Sequence, residues 1–315
     1  MATELPKHAI RPAASVEEAS GLWWPLMQEL GWNRAEADAQ THFHVAQKGR
    51  NWLLLIPEET RKPEGCVIAL SYPNSTGWVA FFIMNAGFRG RGLGRTLWKE
   101  MEAVFRANGT TVIGLDGVQE QVETYKRRGF EDCARIPLMV RESLKVKALD
   151  GGVQLDLTEA VELQDLRDVD PGELARLDYE HTGLDRSAYW SSDALLARQG
   201  AFGFAIVSGS RLTGFVYVRR CEHGRRVGPL YAETYAQAKQ LLHKAMIDSA
   251  EMEGSYIAEI FGTNPAGRKV FEELEWVYAD LSYHRMWLHG KVPEAQQEAG
   301  KGAKGMYSIF DACAG

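Results

Sequence analysis

Apolar and polar positions along the chain repeat with two periods, about two and about 3.6 residues, which predicts strands and helices in turn. Residues 8–12 read as a short strand, residues 16–32 as an amphipathic helix ending near Gly31, and residues 34–44 as a second helix. Residues 52–57 (WLLLIP) form a strand, and residues 65–72 and 77–85 a hairpin across PNSTG, whose Pro, Asn and Gly suit a turn. Helix 94–108 gathers Leu93, Leu97, Met101, Val104 and Phe105 on one face and ends at Asn108-Gly109. A strand at 111–115, a helix at 119–128 stopped by Gly129, and closing strands at 130–133 and 136–141 complete the first half.

The second half repeats this order. A strand is expected at 153–157, a mostly helical stretch at 162–198 with a break near Thr182-Gly183, and a hairpin of 202–207 with 211–218. A strand at 226–231, a helix at 236–252, a strand at 256–260, a helix at 265–275 and a long strand at 276–287 follow. Residues 291–304 read as a polar Gly- and Ala-rich loop, and 306–310 as the last strand. Asp150-Gly151-Gly152 reads as a linker, giving domains 1–149 and 150–315.

Composition narrows the class without changing this picture. The chain has 315 residues, 45% hydrophobic and 25% charged, enough for two ordinary globular cores. The formal net charge of -6 argues against a nucleic-acid surface and leaves room for a cationic substrate. Cys66, Cys133, Cys221 and Cys313 are widely and irregularly spaced, so reduced thiols are expected rather than a zinc site or a disulfide framework. His42 and His44 stand two apart on a helix and diverge, so no metal site is expected. The N-terminal stretch lacks an apolar signal core and no apolar run approaches a membrane span; a cytoplasmic protein without membrane partner is expected.

The chemistry gathers at residues 81–94, FFIMNAGFRGRGLG. An apolar strand enters a turn with glycines at 87, 90, 92 and 94, and a helix follows at once. Glycines permit positive φ and close approach of a ligand to the backbone. A helix start offers free N–H groups and partial positive charge to a pyrophosphate. Arg89, Arg91 and Arg95 add charge. The spacing is G-x-G-x-G, neither the dinucleotide fingerprint nor a Walker loop.

Arg89-Gly90-Arg91-Gly92-Leu93-Gly94 instead resembles the R/Q-x-x-G-x-G/A signature of the GNAT-type acetyltransferase superfamily. Tyr125-Lys126-Arg127-Arg128-Gly129-Phe130 resembles its second landmark, Y-x-x-x-G-F, in the right order and at the right separation. The resemblance is strong over residues 9–141 and weaker beyond. It implies an α/β (α+β) architecture of two tandem GNAT-like domains, each a mixed, mostly antiparallel sheet flanked by helices. It also implies acetyl-CoA as co-substrate. On that resemblance, pantetheine bonds to the backbone of Ile83 and Asn85 beside Met84, and the amides of Arg91 to Gly94, with the neighbouring Gly90, Arg95 and Thr96, hold the pyrophosphate. Tyr125 points its hydroxyl at the sulfur.

An amine attacking a thioester makes an oxyanion and then a thiolate. A backbone N–H stabilises the first and Tyr125 protonates the second. The family often places a carboxylate on the strand leading to the turn, but TGWVAFFIMN has none. Asp116 is the first candidate for the base, followed by His42 and His44. Tyr125 read as a packing residue, and Asp116-Gly117 read as only a turn, are the plain alternatives.

The second half resembles the degenerate C-terminal domain of some tandem GNAT proteins, carrying Gly228-Pro229-Leu230-Tyr231-Ala232, Arg285-Met286 and Gly183-Leu184-Asp185-Arg186. Opposite the glycine turn it has Glu233-Thr234-Tyr235-Ala236-Gln237-Ala238, and opposite the tyrosine landmark Phe271-Glu272-Glu273-Leu274-Glu275-Trp276. Added methyl groups and a carboxylate suit a phosphate poorly, so this half is expected to keep the fold without the coenzyme and to shape the acceptor pocket or brace the first. Asp185, Arg186 and Tyr189 are its candidate acceptor contacts; Trp24 and His44 are those of the first half. The expected reaction is acetyl transfer from acetyl-CoA to the primary amine of a small molecule. A protein-lysine acetyltransferase, a non-catalytic acyl-CoA-binding protein and a GNAT fold with other acyl chemistry remain as alternatives. The sequence leaves the oligomeric state open.

Overall fold

A computed structural model describes residues 5–143 and 163–315. The expected linker at 150–152, the strand at 153–157 and the division between 149 and 150 lie outside the described residues. By contacts, the chain divides into two units inside one strand: Met1–Ile113 with Ala314, and Gly114–Cys313 with Gly315.

In the first unit, β1 (His8–Pro12), β2 (Trp52–Pro57), β3 (Gly65–Ser71) and β4 (Thr76–Met84) pair antiparallel in chain order. Helix α1 (Val16–Glu29) starts at Ser15, whose hydroxyl accepts from the Glu18 amide, while the Glu18 carboxylate accepts from the Ala14 amide. Helix α2 (Asp38–Val45) begins four residues later than the periodicity suggests, with the Asp38 carboxylate accepting from the Ala35 amide. Helix α3 (Leu93–Ala107) buries Leu93, Leu97, Met101 and Phe105, the expected stripe, with Trp98 beside it. The Asn108 side chain donates to the Val104 carbonyl at its end. Phe81 packs edge-on to Trp23 of α1 and Phe82 edge-on to Trp98 of α3.

One irregularity in β4 bears on function. The pairing shifts by one residue between Cys66 opposite Ile83 and Ile68 opposite Ala80, so β4 carries an extra residue there. Phe81, in that bulge, has φ +48°, rare for a residue with a bulky side chain.

In the second unit the end of β5 (Val112–Gly117) pairs with β12 (Val277–Leu288), and β12 with β6 (Phe130–Arg141). From β6 the sheet continues through β11 (Ser255–Glu259), β10 (Gly224–Tyr231), β9 (Arg211–Cys221), β8 (Phe202–Ser208) and β7 (Leu163–Asp165). The pair β10·β11 is parallel and the others antiparallel; β13 (Met306–Ser308) also pairs with β10. Helices α4 (Val122–Lys126), α5 (Pro171–Thr182), α6 (Tyr235–Asp248), α7 (Gly267–Glu272) and α8 (Lys301–Gly305) flank it. Its core gathers Leu241, Met246, Tyr256, Phe271, Leu274 and Trp276.

Several boundaries differ from the sequence reading. The expected helical stretch 162–198 holds β7 and only one α-helix among the described residues. Asp170 caps α5 by accepting from Gly172 and Glu173, Pro171 occupies its first turn, and Gly183 at φ +71° ends it. Beyond, adjacent Tyr189 and Trp190, and adjacent Ala194 and Leu195, are buried together, which no single helical stripe achieves. The two closing strands 130–133 and 136–141 are one continuous β6. Pro137 is tolerated there because the β12 pairing shifts beside it. The helix expected at 119–128 is a 3-10 turn followed by α4, and the loop 291–304 contains α8 and a 3-10 turn.

Candidate active site

The glycine turn takes the form that an anion site requires. Gly90 and Gly92 have φ +74° and +83°, the left-handed region that favours glycine. Gly92 is the N-cap of α3, and no side chain caps the first turn of that helix. The Leu93 and Gly94 amides therefore keep their donors for a ligand, while the Arg95 amide donates to the Gly92 carbonyl at 3.0 Å. A Cβ on Gly87 or Gly90 would meet no protein atom within 4 Å. Gly87 and Gly90 thus leave space on the outside of the turn, whereas the Leu5 side chain lies 2.5 Å from the place of a Cβ on Gly92.

The arginines differ in what they hold. Both terminal nitrogens of Arg91 donate to Glu59, at 2.6 and 2.9 Å, and its guanidinium lies 4.9 Å from the centre of the Phe88 ring. The Arg91 hydrogen bond holds the Glu59 carboxyl below its ordinary pKa. The Arg89 Nε donates to the Met84 carbonyl at 2.8 Å, which clasps the turn to the end of β4. Arg95 is exposed, and Thr96 donates its hydroxyl to the Leu93 carbonyl.

The backbone contacts expected for pantetheine are corrected by the β4 register. The Asn85 amide donates to the Glu64 carbonyl at 2.8 Å, toward β3. Antiparallel pairs alternate, so Ile83, opposite Cys66, turns its N–H and C=O to the same side. The residue whose main chain turns away from β3 is Met84.

Around the bulge, Phe81 lies at the centre of an aromatic group. Its ring is 5.4 Å from Trp23, 5.1 Å from His42 and 6.4 Å from Trp32, with the Arg34 guanidinium 5.2 Å above it. Trp23 is fully buried and also meets Trp52, whereas Trp24 is half-buried. His42 is buried against Phe81, and His44 is half-buried on the other side of the same turn of α2.

In the second unit, Tyr125 lies on α4 with its ring 6.3 Å from Phe130. Burial pushes its phenol up to about 12, opposed by Arg128 and reinforced by Cys313, so the hydroxyl keeps its proton at neutral pH. The ring rests on Gly117, where a Cβ would stand 2.9 Å from its Cε2.

Asp116 does not suit the base role read from the sequence. Arg285 of β12 donates to both its oxygens, from Nε at 2.9 Å and Nη2 at 2.7 Å, and both side chains are sealed from solvent. Burial raises the Asp116 pKa against the pull of Arg285. Proton uptake there would leave a buried guanidinium without its counter-charge.

Two of the expected acceptor contacts are likewise turned inward. Arg186 pairs with Asp178 through Nε and Nη2 and donates to the Tyr231 hydroxyl at 3.1 Å, while Tyr231 donates to Asp178 at 2.7 Å. Tyr189 is buried with its ring 5.1 Å from Phe310. Asp185 is half-buried and accepts from the Ser187 amide at 3.4 Å. Among the described residues no cluster of three or more potential metal ligands occurs, and no helix is long and apolar enough to cross a membrane.

The counterpart of the glycine turn in the second half is closed. Thr234 accepts from the Gln237 amide and Gln237 accepts from the Thr234 amide, both at 3.2 Å, a reciprocal cap on α6. The signal that could have found this cap is its T-x-x-Q spacing, which the sequence reading passes over.

Comparison with known proteins identifies a family in both halves of the chain. Residues 16–130 match the acetyltransferase (GNAT) family model, and residues 174–298 a second acetyltransferase (GNAT) domain model. A holothin acyltransferase of Pseudoalteromonas sp. (strain SANK 73390) is 29% identical over 241 residues, spanning 74% of this chain and 72% of that protein. The fold is similar to a candidate acetyltransferase of Pyrococcus horikoshii, with TM-score 0.72, 19% identity and coverage of 100% and 99% of the two chains. It is also similar to a tandem GNAT protein from the clavulanic acid biosynthesis pathway, with TM-score 0.55, 16% identity and coverage of 89% and 98%.

Proposed function

The chain belongs to the GNAT acyltransferases, with two GNAT domains in tandem, and from that premise we propose that it moves an acetyl group from acetyl-CoA to the primary amine of a small molecule. The observation that carries this reading is the start of α3: a left-handed Gly92, no side-chain cap, and space outside Gly90. Free amides and the helix dipole there receive the pyrophosphate. Arg95 is an exposed cation in the first turn of that helix. Met84 offers the main-chain N–H that stabilises the oxyanion formed when the amine attacks the thioester carbonyl. Collapse of that intermediate breaks the C–S bond; Tyr125, still protonated, gives its proton to the departing thiolate and, as tyrosinate, takes up the proton that the acylated nitrogen sheds.

The second domain holds no coenzyme in this reading. The Thr234–Gln237 cap already occupies the Thr234 and Gln237 amides at this helix start, and Glu233 adds a repelling charge beside them. The kinship with a holothin acyltransferase supports a small-molecule amine as acceptor. Half-buried Trp24, beside the Trp23–Phe81 group, is the aromatic side chain suited to meet the acceptor's apolar part.

The test is thiol release from acetyl-CoA across a panel of small primary amines and lysine peptides. Release with small amines is the expected result. Tight acetyl-CoA binding without thiol release for any amine would overturn the enzyme reading.

A further inference from the structure

The ion pair that removes Asp116 from the base role gives it another. Asp116 and Arg285 are register partners in the β5·β12 pairing, and Gly117 and His284 are the next pair. Arg285 therefore fixes the last residues of β5 by backbone pairing and by a two-pronged side-chain bond. Gly117, the residue after Asp116, is the seat of the Tyr125 ring, with only 2.9 Å between that ring and the place of a Cβ. The third arm of Arg285 reaches further: Nη1 donates to Gln296 Oε1 at 3.0 Å, and Gln296 Nε2 donates to the Thr182 carbonyl at 2.8 Å. Arg285, Gln296 and Thr182 all lie in the segment matched by the second GNAT domain model. A continuous set of contacts thus runs from the C-terminal end of α5 to the strand end on which the Tyr125 ring of α4 is seated.

We propose that Arg285 is a positioning residue for the transfer reaction: through Asp116 it holds the end of β5 so that Gly117 seats Tyr125 at the angle needed to protonate the thiolate. This gives the second domain a part in catalysis without a coenzyme of its own. The proposal rests on Tyr125 as the donor, and Tyr125→Phe tests that reading separately.

The experiment measures kcat and acetyl-CoA Kd for Asp116→Asn, Arg285→Lys and the paired replacement Asp116→Leu with Arg285→Met. Each is made twice, once in the otherwise unaltered chain and once together with Tyr125→Phe. Each single change is expected to lower kcat by about tenfold or more while Kd stays within about threefold, since misplacement of a reacting group acts on turnover. The paired replacement removes both charges together and is expected to restore kcat to within about threefold, because an apolar pair of similar volume substitutes for a buried ion pair. In the Tyr125→Phe background the single changes are expected to cause no further loss, the signature of groups acting through one another. A purely structural role would lower stability without that coupling. Equal inactivity of the paired replacement and Asp116→Asn would overturn the proposal by giving the carboxylate a direct part. So would losses that multiply fully with that of Tyr125→Phe. Unchanged turnover of Tyr125→Phe alone would refute both the donor and its positioning. If Asp116→Asn fails to fold, Arg285→Lys and the paired replacement complete the same comparison.

Discussion

Gly117 and Tyr125 are fitted to each other: a β-carbon on the glycine would stand 2.9 Å from the tyrosine Cε2, closer than such contacts occur. Gly117→Ala must therefore displace the ring. Turnover is expected to fall by about tenfold or more, since a small misplacement of a reacting group is costly. Acetyl-CoA affinity, measured by calorimetry, is expected to stay unchanged. A normal kcat in this variant would mean that the ring's position does not matter to the reaction.

The starts of α3 and α6 answer mutation in opposite ways. Thr234→Ala removes one half of a reciprocal cap and is expected to lower stability by about 1 kcal/mol in urea unfolding without touching acetyl-CoA affinity. Gly92→Ala forces a side chain into φ +83°, so it is expected to weaken both stability and acetyl-CoA binding. An affinity loss in the Thr234 variant would show that the second helix start also takes part in binding.

In the proposed reading, Glu59 competes with the coenzyme phosphates for Arg91. Freeing the guanidinium with Glu59→Gln is expected to tighten acetyl-CoA binding by about two- to fivefold at low salt, and the gain should fade at high salt as exposed charges are screened. Affinity that is unaltered at every salt concentration would place Arg91 away from the coenzyme phosphates.

His181 is expected to make the fold acid-sensitive. Its ring is stacked on Tyr231 at 4.5 Å, its Nδ1 bonds the Leu177 carbonyl at 2.8 Å, and burial lowers its pKa from 6.5 to about 4. The folded value lies below the unfolded one, so stability is fully present above about pH 6.5 and is lost as pH falls toward 4. The loss is on the order of 3 kcal/mol by the usual conversion of pKa difference to free energy. Urea midpoints for His181→Phe should vary less over that window than those of the unaltered chain; parallel pH curves would contradict the assignment.

The parts of the site that were legible in the sequence are those whose cause is local. The positive φ of Gly90 and Gly92 and the helix that follows are dictated by a few neighbouring residues, and the glycine spacing displays them. Strand phase was not legible at β4, because the extra residue at Phe81 shifts the two-residue alternation and exchanges the main-chain roles of Met84 with those of Ile83 and Asn85. Asp116 looked like a free carboxylate because its partner lies 169 residues away on β12. Arg186 and Tyr189 were read as acceptor contacts; Arg186 is instead held inward by Asp178, eight residues before it, and by Tyr231 on a distant strand, and Tyr189 by the distant Phe310. The end of α5 at Gly183 was readable from glycine alone, whereas the non-helical course of residues 184–198 follows from burial that only the assembled sheet provides.

The most direct test of the account is titration of the unaltered chain and of Gly92→Glu with acetyl-CoA in a calorimeter. The uncapped, left-handed start of α3 predicts one saturable site per chain, abolished when a carboxylate stands among the amides that receive the diphosphate. Equal affinity in both proteins, or two equivalent sites per chain, would contradict it.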